Sequence, residues 1–397
     1  MEKEKVLVVF GGKSAEHDIS IITGLQTLKN IDREKYDVFP LYISRAGEMF
    51  FGRKLEEFES YINFNRKKFK KATFCTGSKF LYLQIGTMFV KKFEVSCAVV
   101  CCHGLNGEDG TLQGLFELCE IPQTSCNVMS SSICMDKIVM KDVLRANGIK
   151  TPKSVFINKT DFFLNEKSVL DKIEKELDLF ENSCFVKPAN LGSSIGISKC
   201  HNRDELAEAI DIAGGYDERI IIEQAVEGAT EVNCAVLGNA DYQTISSLEY
   251  PKSWSSFLSF DEKYIARKEA SEKKEVKTKK LSSKVEKQIQ EISRKAFNVF
   301  DCSGVVRIDF LVGKDGDIYL NELNSIPGSL AFYLFKEQGI DFKKLITKLI
   351  DLAKRKQRDK LKNKFSYQSN ALENFGRGGK NNKYSQKWII IKSHTSL

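Results

Sequence analysis

Residues Gly304-Val-Val-Arg307-Ile-Asp309-Phe-Leu-Val-Gly-Lys314-Asp-Gly316-Asp-Ile-Tyr-Leu-Asn321-Glu322-Leu-Asn324 read as two strands joined by a turn. Apolar residues alternate over 304–311 and 318–323, and Lys314-Asp-Gly316 between them is a hairpin signal. Side chains alternate across a strand, so Arg307 and Asp309 share a face, as do Glu322 and Asn324. The turn makes the strands antiparallel neighbours, and one patch can then hold Asp309, Glu322 and Asn324 with Arg307 beside them. A nucleotide-bound Mg²⁺ favours such a set, with few carboxylates and positions left for phosphate oxygens and water. The competing reading is a cross-strand charge cluster on a solvated face, but Val305, Val306, Ile308 and Phe310 leave little room there for idle charge. Ile326-Pro-Gly328 follows at once and sets a turn and a glycine amide beside the metal candidates.

Working back toward the N-terminus, residues 6–125 alternate strand and helix patterns. Val6-Leu-Val-Val-Phe10 is a strand ending in Gly11-Gly12, and residues 20–29 are the helix after it. Residues 36–43 and 95–102 are further strands, and 111–119 is a helix behind a glycine-rich loop. The alternation predicts a parallel, doubly wound sheet, whose ligands gather at the carboxyl ends of its strands. Residues 130–144 predict one helix. Phe185-Val-Lys187-Pro188 is a short strand running into a turn-rich stretch, 189–196. A helix over 203–213, a strand over 219–223 and strand patterns within 231–249 come next, then helices over 281–300 and 340–353. Residues 253–280 have the Ser, Lys and Glu composition of a mobile surface loop. Residues 354–364 hold seven basic residues and one acidic one, the mark of a solvated tail.

Of the 397 residues, 42% are hydrophobic and 29% charged, which excludes a chain disordered throughout. The balance of 61 basic and 53 acidic residues gives a net charge of +8. That favours anionic ligands such as nucleotides and is too diffuse to imply nucleic acid. No apolar run approaches the ~20 residues of a membrane helix, and the N-terminal run is too short for a signal peptide. Eleven cysteines without a C-x-x-C pair, several inside apolar strands, read as reduced core thiols of a cytoplasmic protein. With only four histidines a zinc site is disfavoured.

Three further segments combine glycine with ionisable side chains. Gly12-Lys-Ser14 resembles a phosphate loop, yet Leu7 stands where that loop requires glycine. What remains is Glu16 and His17 on a loop opening a helix, where the helix dipole by itself favours an acid. His103-Gly-Leu-Asn-Gly-Glu-Asp-Gly110 gathers three glycines, two acids and a histidine after a strand, a composition that suits backbone held close to a small ligand. In Lys187-Pro188 and Gly192-Ser193-Ser194-Ile-Gly196, small residues allow N–H groups to converge on phosphate oxygens while a lysine supplies charge.

In sequence order, Gly11-Gly-Lys-Ser-Ala-Glu16-His17, His103 to Gly110, Met135-Asp-Lys137, Lys187-Pro to Gly196, Arg307-Ile-Asp309 and Asn321-Glu-Leu-Asn-Ser-Ile-Pro-Gly328 resemble the D-alanine–D-alanine ligases of the ATP-grasp superfamily. The likeness runs from about residue 6 to residue 353. It implies an α/β protein with an N-terminal doubly wound domain, 1–128, ahead of a two-part α+β ATP-grasp fold. The parts are a central lid, 129–216, and a C-terminal domain, 217–353, with a basic tail over 354–397. It implies ATP-dependent joining of two D-alanines through a D-alanyl phosphate, for peptidoglycan precursor synthesis. The expected protein is a cytoplasmic homodimer with no nucleic-acid or membrane partner.

Carried over residue by residue, the resemblance puts Lys137, Lys187 and Ser194 on ATP, Glu223 and the backbone near Val226 on adenine, and Glu231 on the ribose. Asp309, Glu322 and Asn324 would bind two Mg²⁺ or Mn²⁺. Glu16 would hold the ammonium of the first D-alanine, with His103 lining that subsite. Ser193 and Tyr264 would lock Glu16 and a closing loop, and Lys263 would sit over the phosphates. Arg307 and the Gly328 amide would form an oxyanion site, and Ser329 and Leu334 would contact substrate. The pattern departs from the family at Tyr333, which stands where the family has a serine that helps hold the acceptor. D-alanine, D-serine and D-lactate all stay open as acceptors.

Overall fold

Val6–Phe10 is wholly apolar because the strand it forms is covered on both faces, with every one of the five residues fully buried. In the computed structural model, which describes residues 2–178, 183–251, 281–364, 372 and 375, this strand is β1 (Glu4–Gly11). It runs parallel to β2 (Tyr36–Ile43) on one side and to β7 (Cys97–Val100) on the other, and α1 (His17–Asn30) makes the first crossover. The doubly wound expectation holds at β2-β1-β7 and stops there. β3 (Met49–Phe51), β4 (Lys70–Thr73), β5 (Phe80–Ile85) and β6 (Met88–Glu94) extend the sheet antiparallel, in the order β6-β5-β4-β3-β2-β1-β7. The links from β2 to β3, β4 to β5 and β5 to β6 are short, the last only Gly86-Thr87, and such short links permit only antiparallel pairing, whereas residues 52–69 form a longer, partly helical link between β3 and β4. α2 (Glu59–Ile62) and α3 (Thr111–Leu118) complete this part.

The helix expected over 130–144 is two helices, α4 (Val128–Met135) and α5 (Lys137–Ala146). Asp136 breaks the run because its carboxylate caps α5, accepting from Ile138 N and Val139 N at 3.0 Å each. A second sheet, ordered β10-β9-β11-β8, comprises β8 (Ser154–Asn158), β9 (Cys184–Pro188), β10 (Ser198–Cys200) and β11 (Arg219–Gln224). α6 (Lys159–Leu177) and α7 (Arg203–Gly214) share its buried core. A third sheet is ordered β13-β12-β14-β15, from β12 (Thr230–Gly238), β13 (Gln243–Ile245), β14 (Gly304–Val312) and β15 (Ile318–Asn324), and α8 (Ser283–Val299) packs on it.

The last helix, α9 (Phe342–Lys360), buries Phe342, Leu345, Ile346, Leu349, Ile350 and Ala353, one stripe at helical spacing. These residues join the same apolar cluster as β1 and β7, so the end of the fold is packed onto its beginning. The helix also runs past residue 353. Its basic residues are good helix formers, and cations suit a helix C-terminus, so the first turns of the expected tail are helical. The chain divides into a unit Met1–Gln357 and a second unit Arg358–Leu397. The loop expected over 253–280, with Lys263 and Tyr264, lies outside the described residues. Among the described residues, no helix is long and apolar enough to cross a membrane.

Candidate functional site

β14 and β15 pair as the sequence pattern requires, with Arg307 opposite Asn324 and Asp309 opposite Glu322, before the register slips between Asp309 and Phe310. Arg307 grips Asp309 as a fork, Nε to Oδ1 and Nη2 to Oδ2, both 2.7 Å, and Asn324 Nδ2 donates to Asp309 Oδ2 at 3.1 Å. Burial pushes the Asp309 carboxyl up, Arg307 opposes the rise and Glu322 adds to it. Burial works against the charge on Arg307, but Asp309 and Glu322 outweigh it and hold the guanidinium charged. Two crowded carboxylates and an amide oxygen are the donor set that a hard divalent cation completes with phosphate and water. Among the described residues no three His, Cys, Asp or Glu gather as a metal site.

A second cluster lies on the central sheet. Glu223, near the end of β11, is buried between two lysines, with Lys187 Nζ 2.7 Å from Oε2 and Lys141 Nζ 3.1 Å from Oε1. β9 and β11 pair with Lys187 opposite Ile221 and Phe185 opposite Glu223, which puts the Lys187 side chain diagonal to Glu223 on one face of the sheet. Burial pushes Glu223 up, but Lys141 and Lys187 outweigh it and hold the carboxyl at about 2. Burial lowers Lys141 to about 8. Glu223 Oε1 is held by Lys141 as an ion pair rather than by a well-aligned hydrogen bond among the described residues, which leaves it lone-pair capacity for an incoming N–H. A carboxylate oxygen so placed fits the exocyclic amine of an adenine as a second donor. Val226 forms the turn beyond β11, its carbonyl accepting from Ala229 N at 3.2 Å, and Glu231 is exposed on β12.

Lys137 begins α5 and its Nζ donates to Leu191 O at 2.6 Å. It therefore braces the loop that carries Ser193 and Ser194, both with left-handed backbone at φ 54° and 59°. That conformation turns Ser193 toward Glu16, and Ser193 Oγ donates to Glu16 Oε1. Two glycines make room for this acid. A Cβ on Gly104, at φ +70°, would stand 2.6 Å from Glu16 Oε2, and one on Gly192 would stand 2.7 Å from it. The glycines of two motifs far apart in sequence thus serve one carboxylate.

His103 is fully enclosed, and burial drops it to about 4, so it is neutral. Nδ1 lies 2.7 Å from Ile326 O and must donate to it, which leaves Nε2 to accept from Thr23 Oγ1 at 2.9 Å. Thr23 Oγ1 in turn accepts from Ser329 N at 3.1 Å. This relay ties α1, the His103 loop and the segment after Gly328 together. At that segment, Ser329, Leu330 and Ala331 are all left-handed, with φ near 50°, a conformation that costs about 1–2 kcal/mol per residue and is held by the surrounding contacts. A Cβ on Gly328 would meet open space. Leu334 is buried, and its carbonyl accepts from Ser247 Oγ at 3.0 Å. Tyr333 donates to Glu249 Oε2 at 3.3 Å, and burial pushes its hydroxyl up to about 12.

The family model described as D-ala D-ala ligase N-terminus matches residues 5–126, and D-ala D-ala ligase C-terminus matches residues 143–351. The chain belongs to the D-alanine–D-alanine ligase family. It is an ATP-dependent ligase of ATP-grasp architecture. The D-alanine–D-alanine ligase of Caldicellulosiruptor bescii is 38% identical over 373 residues, covering 92% of this chain and 99% of its own. That of Thermosipho melanesiensis is 37% identical over 356 residues, covering 89% and 94%. Among solved structures, the D-alanine–D-alanine ligase of Coxiella burnetii aligns with a TM-score of 0.75 at 29% identity, covering 91% of this chain and 97% of its own. The VanG D-Ala:D-Ser ligase of Enterococcus faecalis aligns with a TM-score of 0.71 at 30% identity, covering 89% and 100%.

Sequence reasoning passed over three residues that this ligase builds into the site, Thr23, Lys141 and Glu108. Thr23 and Lys141 lie inside helices and carry no local signal, whereas Glu108 sits in the quoted glycine-rich loop. Glu108 bridges two loops, accepting from Gly104 N at 2.9 Å and from Ile326 N at 2.8 Å. Burial, reinforced by Glu16, raises its carboxyl to about 8. The folded protein therefore holds a proton that the unfolded chain releases near the ordinary glutamate value of 4.5. This group's stabilising contribution is complete below that value and is lost as pH rises through about 8. Glu108→Gln cannot ionise, so its melting temperature is expected to fall less than the wild-type one between about pH 5.5 and about pH 8.5. Parallel melting curves for the two proteins across that window would assign the titration elsewhere.

Proposed function

We propose that this ligase joins two molecules of D-alanine into D-alanyl-D-alanine for peptidoglycan precursor synthesis, with ATP cleaved to ADP and phosphate. The observation that carries this reading is the hairpin patch, where Asp309, Glu322 and Asn324 converge beside a charged, half-buried Arg307.

In this reading Lys137, Lys187 and Ser194 hold the phosphates, Glu223 and the Val226 backbone hold adenine, and Glu231 holds the ribose. Glu16, fixed by Ser193, holds the ammonium of the first D-alanine against the neutral wall of His103. Asp309, Glu322 and Asn324 would hold two Mg²⁺ or Mn²⁺ ions, which would supply the charge neutralisation that lets two anions meet. The first D-alanine carboxylate attacks the γ-phosphorus, ADP leaves and D-alanyl phosphate forms. The deprotonated amine of the second D-alanine then attacks the acyl carbon. Arg307 and the Gly328 N–H stabilise the oxyanion of the tetrahedral intermediate, which collapses with loss of phosphate. In the same reading Ser329 and Leu334 line the acceptor side.

Tyr333 favours a second reading of the acceptor, because its phenol replaces the smaller hydroxyl of the family pattern near Arg307. An acceptor screen with D-alanine, D-serine and D-lactate, read by phosphate release and product mass, separates the two. D-alanine alone is expected to drive phosphate release and yield D-alanyl-D-alanine as the main product. No phosphate release with D-alanine alone overturns the proposal, and a dominant mixed product moves the acceptor to D-serine or D-lactate.

A further inference from the structure

Lys141 is the most completely enclosed charged side chain near the site, with no exposed surface. It sits one turn along α5 from Lys137, where its Nζ meets Glu223 Oε1 at 3.1 Å and donates to Asn321 O at 3.0 Å. Lys187 reaches the other oxygen of the same carboxylate and is the less buried lysine of the two, its side chain 12% exposed. Helix and strand are tied at a second point, where Arg219, the first residue of β11, pairs with Asp136, the cap of α5. The distance between Lys141 and Glu223 is therefore set by the fold.

We propose that Lys141 is the fixed counter-ion of Glu223, and that its presence frees Lys187 to leave that carboxylate for the phosphates of ATP. A buried carboxylate must keep a cation nearby, because an uncompensated charge there is strongly unfavourable. With Lys141 in place, Glu223 stays compensated when Lys187 turns away. Without Lys141, Lys187 is the remaining lysine on Glu223, and phosphate must compete with the carboxylate for it. Lys141 has no exposed surface through which to meet a ligand and is a positioning residue. The inference rests on the reading of Lys187 as a phosphate contact and of Glu223 as an adenine contact.

The test compares Mg²⁺-ADP with adenosine by titration calorimetry on the full chain, in wild type, Lys187→Met, Lys141→Met and Lys141→Met/Glu223→Gln. Wild type is expected to prefer ADP, and Lys187→Met to lose that preference. Lys141→Met is expected to weaken ADP by about tenfold or more while adenosine changes by less than about threefold. The double variant removes both buried charges, so it remains foldable, and its glutamine oxygen can still accept from adenine. It is expected to recover most of the ADP affinity, which a residue that only supports the fold would not produce. If Lys187→Met keeps the ADP preference, the phosphate reading of Lys187 fails and takes the proposal with it. If Lys187→Met loses it while Lys141→Met binds ADP like wild type, or if the double variant fails to recover, the proposal alone is overturned.

Discussion

Glu322→Gln is expected to abolish ligation, with turnover down by about 10³-fold or more at saturating ATP and Mg²⁺. The substitution keeps shape and one acceptor oxygen but removes a full negative charge from a patch that, among the described residues, pairs two carboxylates across the hairpin. Asp309 is engaged by Arg307 through both oxygens, so a neutral residue at 322 leaves one carboxylate opposite, and that one is already paired to a guanidinium. The same change relieves the repulsion that pushes Asp309 up, because Glu322 lies directly opposite it across the hairpin. Activity and stability should therefore part company. Phosphate release should disappear while the melting temperature stays level or rises. Wild-type turnover would remove Glu322 from the reaction, and a large fall in melting temperature would recast it as a structural residue.

That hairpin was also the most legible part of the molecule, for a physical reason. A two-residue period and a turn signal fix which side chains share a face, so the register of Arg307, Asp309, Glu322 and Asn324 follows from local pattern alone. The Glu16 site is different in kind. Its acid and its serine are 177 positions apart, and no local periodicity can bring Ser193 Oγ to Glu16. Only the family resemblance linked them. Lys141 was hidden by the opposite effect. In an amphipathic helix a lysine ordinarily marks the solvated face, and nothing nearby in sequence announces the glutamate that draws this one inside. The break at Asp136 was missed because apolar spacing continues straight across it, while the capping carboxylate that interrupts the helix is a single residue. The antiparallel strands over 49–94 escaped because they are short and half polar, with β6 exposed at six of its seven positions.

Arg307→Lys separates charge from geometry at the proposed oxyanion site and carries the second large expectation. Lysine keeps the positive charge but not the fork, so it cannot hold both Asp309 oxygens and still aim a donor at a developing oxyanion. Stabilisation given only to the transition state appears in kcat and leaves substrate affinity nearly untouched. The kcat of Arg307→Lys is accordingly expected to fall by about 10²–10³-fold, with KM for ATP within about threefold of wild type. The alternative is that Arg307 serves only to hold Asp309 for the metal. In that case the defect should appear as a raised Mg²⁺ requirement, and excess Mg²⁺ should restore kcat. Rescue by Mg²⁺ would therefore move Arg307 out of the oxyanion site and into the support of Asp309. A kcat that stays low at every Mg²⁺ concentration would keep it there, because charge alone, without two fixed N–H directions, cannot follow the oxygen as the acyl carbon becomes tetrahedral.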